Sequence, residues 1–360
     1  VLSPEFKQSL ADPNLYLRID GILMLLYVDD ISMLYPEEAT KAAIEVKARL
    51  SEKYTITNLG PASQFLGIEI HSGENSTGIG TCTAISLGQK TFISTILKRF
   101  NMQNAHGAST PMDPNVKLDL AEDRGEKELK DINGYQAIVG SLMYAALATR
   151  PDILFAVAAL CRYNCCPVTS HLTAVKRGLQ YHKTTADFRL HFSSTGSNDP
   201  LTGSNDQLTA YTDSDWANDS ADRKSQGGHV FLLSNGAVSW QSRKQDHITM
   251  STLEAEYIAF SVGSREAKWL IQLHRDIHGK DASLLPINCD NQGALSHITT
   301  GMIKAWTKHI DICYHNSRDL HARMIVDYSY VHTNENVADI LTKALMKDKH
   351  EKFTKVMGLL

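Results

Sequence analysis

The pentapeptide Thr-Gly-Ser-Asn-Asp occurs twice in quick succession, at 195–199 and again at 202–206. A repeat made only of small and polar residues has nothing with which to fill a core, so the chain reads as broken by a linker over 193–207. Whatever packs must pack on one side of this break or the other. A length of 360 residues leaves room for two or three domains, and the hydrophobic periodicity differs on the two sides.

Upstream, Leu23–Val28 and Ile31–Tyr35 read as two strands joined through Asp29 and Asp30 in a tight hairpin. Pro36-Glu37-Glu38 opens a helix to about Lys53, with Ala39, Ala42, Ala43, Val46 and Leu50 as its apolar stripe. A strand around Phe65-Leu66-Gly67-Ile68 and a helix over Gln89–Phe100 follow. Helices then dominate: Tyr135–Ala148, Pro151–Tyr163 with proline in its first turn, and His171–Thr184. Downstream of the linker, Leu208–Thr212, Gly228–Leu233 and Ala237–Gln241 are expected as a three-strand meander. A long helix over Thr252–Ile277, a strand at Leu285–Asp290, a short helix at Asn291–Ile298, a strand at Met324–His332 and a closing helix at Val337–Met346 complete the order. The expected division is a β-rich unit at 1–75, a helical region at 76–192, the linker, a mixed α/β domain at 208–346 and a tail at 347–360.

Composition narrows the class. The 42% hydrophobic and 21% charged content is that of an ordinary globular protein. A net charge of −4 lends no support to nucleic-acid binding by bulk electrostatics, although a local basic groove would suffice. The six cysteines contain no C-x-x-C pair, so neither a zinc module nor a disulfide framework is indicated. Reduced thiols in a cytosolic or nuclear protein are the expectation. The longest apolar runs, Ile22–Val28 and Ile153–Cys161, are too short to span a bilayer, and no secretory signal is visible. The first residue is Val rather than Met, which suggests a piece of something longer.

Four carboxylates fall where this order of strands and helices would gather them. Asp213 ends the first downstream strand, Glu256 lies on the long helix, Asp290 ends the fourth strand, and Asp339 sits in the first turn of the closing helix. Clustered acids suit phosphodiester hydrolysis by two Mg²⁺ ions ~4 Å apart, one generating hydroxide and one stabilising the leaving oxygen. Mg²⁺ takes oxygen ligands and few protein ones, so three or four carboxylates meet the demand. Singly, each residue has a plainer reading. Asp213 could form a turn, Asp290 could cap the helix starting at Asn291, Asp339 could complete a capping box with Asn336, and Glu256 could be a solvated helix residue. Glu254 and Glu256 are about 200° apart on a helix, and Asp213 and Asp215 share a strand face, so spacing alone leaves both choices open.

The string Tyr211-Thr-Asp-Ser-Asp-Trp-Ala217 is followed by Asp222-Arg-Lys-Ser225, Gly228, Ser239-Trp240, Lys244-Gln245 and Glu254-Ala-Glu-Tyr257. With Cys289-Asp-Asn-Gln292, Thr307-Lys-His-Ile-Asp311 and Ala338-Asp-Ile-Leu-Thr-Lys343, it resembles the ribonuclease H of copia-type LTR retrotransposons. Tyr27-Val-Asp-Asp30, Phe65-Leu-Gly67, Ser109-Thr-Pro111, Gly140-Ser-Leu-Met-Tyr144 and Thr149-Arg-Pro-Asp-Ile153 are similar to the same family's reverse-transcriptase palm and thumb. The matches run in register over nearly the whole chain.

The resemblance implies a multidomain α+β and α/β chain: a partial palm, a helical thumb-like region, and a ribonuclease H-like mixed sheet flanked by helices. It places metal ligands at Asp213, Glu256, Asp290 and Asp339, choosing Glu256 over Glu254 and Asp213 over Asp215. His332 would be a mobile proton shuttle, the other reading being an ordinary strand-end histidine. Asp29 and Asp30 would hold metal on the polymerase hairpin, with a partner aspartate on an earlier strand that precedes residue 1. For that reason the chain is not expected to extend a primer. Arg223, Lys224, Ser225, Arg243, Lys244 and Lys308 are candidates to contact an A-form-like hybrid through its backbone, against the reading that they are solvated charges. The implied cofactor is two Mg²⁺, with Mn²⁺ as substitute. The implied partners are an RNA–DNA hybrid, an RNA template and a DNA primer, with no membrane. The implied place is a cytoplasmic retroelement particle or the nucleus, not the secretory route. The alternative is an inactive nucleic-acid-binding remnant of a decayed element. On either reading, residues 206–346 are expected to fold alone.

Overall fold

The computed structural model describes residues 5–73, 84–116, 118, 127–193, 207–217, 219, 222–280, 284–300 and 311–360. The polar repeat and Lys308 lie outside the described residues.

The aspartate hairpin forms where expected, preceded by a second one. β1 (Phe6–Gln8), β2 (Leu15–Arg18), β3 (Leu23–Tyr27) and β4 (Asp30–Leu34) make an antiparallel meander. Ile22 is fully buried against Ala39 and Ala43 at the start of α1 (Thr40–Lys53), which covers one face. β1 and β2 have three and four residues, too short for an alternating pattern to announce them.

A second antiparallel sheet has the order β5 (Gln64–Phe65), β6 (Ile68–Gly73), β7 (Ala84–Gly88), β8 (Leu190–Ser193). Between β7 and β8 the chain runs through α2 (Lys90–Arg99), α3 (Ile132–Ala148), a 3-10 turn at Pro151–Ile153, α4 (Leu154–Cys161) and α5 (Thr169–Thr184). α4 is apolar on every side, as a helix at the centre of a core must be.

The downstream sheet has five strands in the order β11 (Gly236–Lys244), β10 (Gln226–Leu233), β9 (Thr209–Asp215), β12 (Leu285–Cys289), β13 (Val326–Tyr330). β9, β10 and β11 are antiparallel, whereas β12 runs parallel to both its neighbours. The long helix α6 (Thr252–His278) lies on one face, where Tyr257, Phe260 and Ala267 pack with Ala210, Phe231 and Ile287. α7 (Gln292–Thr300) and α8 (Asp311–Ala322) complete the βαβ crossing between β12 and β13. This is the mixed sheet flanked by helices that the sequence led us to expect.

Three expectations are corrected. The two sides of the polar repeat do not pack separately. Tyr211, Val230, Leu232 and Ala237 on the second face of the downstream sheet belong to one apolar cluster with Leu142 and Ala145 of α3 and Val157 and Leu160 of α4. Trp240 Nε1 donates to the Ala146 carbonyl at 2.9 Å, and the Ser193 amide donates to the Ser234 carbonyl at 2.9 Å. The physical reason is that β9 is buried along Thr209–Asp213 without a break, and threonines and tyrosine do not advertise a strand covered on both faces.

Second, residues 347–360 are no tail. They form α9 (Lys347–Val356) and a closing turn, with Phe353, Met357 and Leu359 buried in that same cluster. Leu360 exchanges two backbone hydrogen bonds with Arg189, of 2.9 and 3.1 Å, beside β8. The apolar residues recur at helical spacing, but six lysines and acids between them hid the stripe. Third, the closing helix is a five-residue 3-10 helix, Val337–Leu341.

Candidate metal centre

Three of the four expected carboxylates meet. One oxygen each of Asp213, Asp290 and Asp339 lies within 4.8 Å of the others, the one such group of three or more among the described residues. Each arrives by a local device. Asn336 caps the 3-10 helix by accepting from the Ala338 amide, and its Nδ2 donates to the Thr212 carbonyl at 3.0 Å, which pins Asp339 beside β9. Asp290 does not cap α7. That task falls to Asn291, whose Oδ1 accepts from the Ala294 amide at 3.0 Å, leaving Asp290 for the cluster.

Two glycines allow the close approach. Gly228 stands opposite Asp213 in the β9–β10 ladder, and a methyl group added there would lie 2.8 Å from Leu341 Cβ. One added at Gly263 of α6 would lie 2.9 Å from Thr212 Cγ2.

Glu256 is buried behind this group. Its Oε1 accepts from the Ser214 amide at 3.3 Å, and its Oε2 faces the Cys289 thiol at 3.7 Å. Glu254 is half-buried and spent on the helix start, accepting from the Met250 amide at 2.6 Å. Of the two glutamates that helical spacing left open, Glu256 is the buried one beside Asp213 and Asp290.

Cations and hydroxyls answer the crowded acids. Thr342 Oγ1 donates to Asp213 Oδ2. Lys343 Nζ lies 2.8 Å from Asp339 Oδ1 and 3.6 Å from Asp213 Oδ2, and Lys349 Nζ contacts Asp339 Oδ2. Burial pushes Asp213 up to about 7, against the pull of Lys343 and with a further push from Asp339 and Asp290. Glu256 is raised for the same reasons, burial first and then Asp213 and Asp290. Lys343 is held protonated, its own desolvation outweighed by Asp213 and Asp339. Buried oxygen donors this close resist ionising together. A hard divalent cation satisfies such a set, and Mg²⁺ fits the donors present.

Other candidates sit elsewhere. His332 is exposed on the loop before the 3-10 helix, its Nδ1 accepting from the Asn334 amide at 3.2 Å. Asp29 and Asp30 are exposed at the β3–β4 turn, where Val28 adopts φ 52°, a conformation that β-branched residues rarely enter. No group of three metal-binding side chains among the described residues includes them.

Ser225 is fully buried, its hydroxyl bonded to Thr249 Oγ1 and accepting from the Ala217 amide, so it braces the β9–β10 connection and cannot reach a substrate. Lys244 is engaged by Asp219 at 2.5 Å and Asp222 at 2.8 Å, and Arg243 by Asp246 at 3.3 Å. Lys224 lies 3.9 Å from Asp222, and Arg223 is exposed. Sequence reading missed Thr342, Lys343 and Lys349. The spacing of four from Asp339 to Lys343 was a usable signal; nothing local marks Lys349.

Comparison with known proteins agrees with this architecture. The family described as reverse transcriptase (RNA-dependent DNA polymerase) matches residues 1–114. The retrovirus-related Pol polyprotein from transposon TNT 1-94 of Nicotiana tabacum is 35% identical over 99% of this chain. A transposon Ty5-1 protein of Saccharomyces cerevisiae is 32% identical over 70% of this chain and 76% of its own length. The chain belongs to the copia-type retrotransposon Pol family. It spans 26% of the length of the tobacco polyprotein. A solved ribonuclease H domain from Mycobacterium tuberculosis aligns with 41% of this chain and 96% of its own at 15% identity, with a TM-score of 0.30, too low to argue from. Within this Pol segment the reverse-transcriptase match covers β1–β7, α1 and α2, and the acidic centre is built from β9, the end of β12 and the 3-10 helix, all downstream of it. No helix among the described residues is long and apolar enough to cross a membrane.

Proposed function

We propose that the acidic centre hydrolyses the RNA strand of RNA–DNA hybrids, and that Asp29 and Asp30 serve RNA-directed DNA synthesis in the longer polyprotein. The single observation that carries the nuclease reading is the convergence of Asp213, Asp290 and Asp339 within 4.8 Å. Mg²⁺ held there would activate water and neutralise charge at the leaving oxygen.

The chain's own residues do the rest. Asp213, Asp290 and Asp339 would hold the ions, with Glu256 as the fourth carboxylate behind them. Thr342 fixes the Asp213 rotamer, and Asn336 fixes the element bearing Asp339. His332, on an exposed loop before that element, would carry a proton between solvent and the site. Arg223, and Lys224 by its weak pairing, are the basic residues best placed to meet phosphates. Lys244 and Arg243 are held by acids and contribute less.

The test is Asp290→Asn in the purified chain. Asn keeps the shape and removes the metal-facing charge, so hybrid cleavage in Mg²⁺ is expected to vanish while hybrid binding by anisotropy is retained. Full cleavage by the variant would remove Asp290 from the centre.

A further inference from the structure

Asp339 has a fully buried side chain with an ammonium on each oxygen. One ammonium is intrinsic to the nuclease, since Lys343 follows Asp339 by a single helical turn. The other comes from outside it. Lys349 belongs to α9, beyond the last element of the ribonuclease H-like sheet, and its Nζ also donates to the Thr333 carbonyl at 3.1 Å, in the loop that carries His332.

What fixes Lys349 in place is the helical region. Its neighbour His350 Nε2 meets the Asp152 carbonyl at 3.1 Å, and Phe353 and Met357 are fully buried in the shared cluster. Lys349 Nζ lies over the Phe353 ring, 5.4 Å from its centroid.

We propose that Lys349 is a positioning residue of the nuclease, holding Asp339 in competition with the divalent ion, so that the seating of α9 on the helical region sets how tightly the centre binds metal. This rests on the metal-centre reading above. The physical argument is direct. A cation entering the cluster must share Asp339 with an ammonium already in contact, and two like charges in a buried site repel strongly. The same contact keeps the Asp339 carboxylate and the Thr333 carbonyl oriented, as partners behind metal ligands commonly do. Removing the charge therefore tightens metal binding and impairs turnover together. A lysine that served only to pack α9 would do neither.

The experiment uses the whole chain and Mg²⁺ alone as probe, read by titration calorimetry, with hybrid cleavage at saturating Mg²⁺ as second readout. Lys349→Met keeps an unbranched apolar stem and removes the charge. It is expected to bind Mg²⁺ roughly tenfold more tightly and to cleave roughly tenfold more slowly. Lys349→Arg keeps the charge and is expected to hold Mg²⁺ affinity within about twofold of the parent. Lys352→Met is the control: Lys352 lies on the same helix, over the same ring at 5.8 Å, and donates to the Asn334 carbonyl at 3.0 Å, but among the described residues it pairs with no carboxylate. It should leave Mg²⁺ affinity unchanged. Unchanged or weaker binding by Lys349→Met overturns the proposal, as does an equal shift in Lys352→Met or a tenfold shift in Lys349→Arg. A parent chain that binds Mg²⁺ but cleaves no hybrid would sink the proposed activity and leave the calorimetric result to decide Lys349.

Discussion

His182 is wholly buried, its Nδ1 3.2 Å from Arg150 Nη1, and burial followed by that guanidinium pulls its pKa down to about 3. Arg150 is itself fully buried, forked onto Asp152 at 2.8 and 2.9 Å and bonded to Thr185 Oγ1 at 2.7 Å. Because the folded value lies below the ordinary value near 6.5, the unfolded chain takes up this proton first. Stability from His182 is therefore complete above about pH 6.5 and is lost as pH falls toward the folded value. Asp213 works the other way without metal: its raised value makes its contribution greatest in acid and lost as pH rises through about 7. The two are separated by comparing variant with parent. His182→Gln keeps an acceptor for Arg150 and should flatten the fall in urea-unfolding stability between about pH 6.5 and 4. Identical slopes for the two proteins would show that this proton is not what acid adds.

The 3-10 helix Val337–Leu341 shows how an element places a ligand. It lies against β10 only because Gly228 has no side chain, since a methyl group there would be 2.8 Å from Leu341 Cβ and 2.9 Å from Thr342 Cγ2. Gly228→Ala should cost about 1–3 kcal/mol of stability through overpacking. It should also lower hybrid cleavage by lifting Asp339 and Thr342 away from Asp213. Thermal melts and cleavage rates check both, and a variant with parental activity would show that the element has room to shift. The strands were legible in advance because β10 and β12 carry short apolar runs bounded by turns, and Asp213, Asp290 and Asp339 because they stand at or near element ends. The 3-10 helix was not, since Val-Ala-Asp-Ile-Leu reads like the first turn of an α-helix. That Ser225 is buried and Lys244 paired was not legible, because sequence displays a hydroxyl or a charge but not its partner.

The polar repeat was a sound reading of composition and a poor guide to packing. A break in the chain is not a break in the core: the second face of the downstream sheet is closed by α3, α4 and α9, which lie on both sides of the repeat. Residues 206–346 alone would expose Tyr211, Val230, Leu232 and Ala237, all buried in the full chain. At about 25 cal/mol per Å² of apolar area, such a loss is comparable with the whole stability of a domain this size. We therefore expect no cooperative unfolding transition from 206–346 in urea, and a clear one from 84–360. A sharp transition in the shorter span would show that the shared cluster is dispensable.

Leu360 and Arg189 hold one another by two backbone hydrogen bonds, and Met357 fills the core just before them. A copy of such a transposon that acquired a stop codon at position 347 would keep all four acidic residues and every motif string described here. A census of motifs would count it intact. Its protein would lack the helix that seals the core and the lysine that steadies Asp339, so the copy would be dead with its signature unblemished.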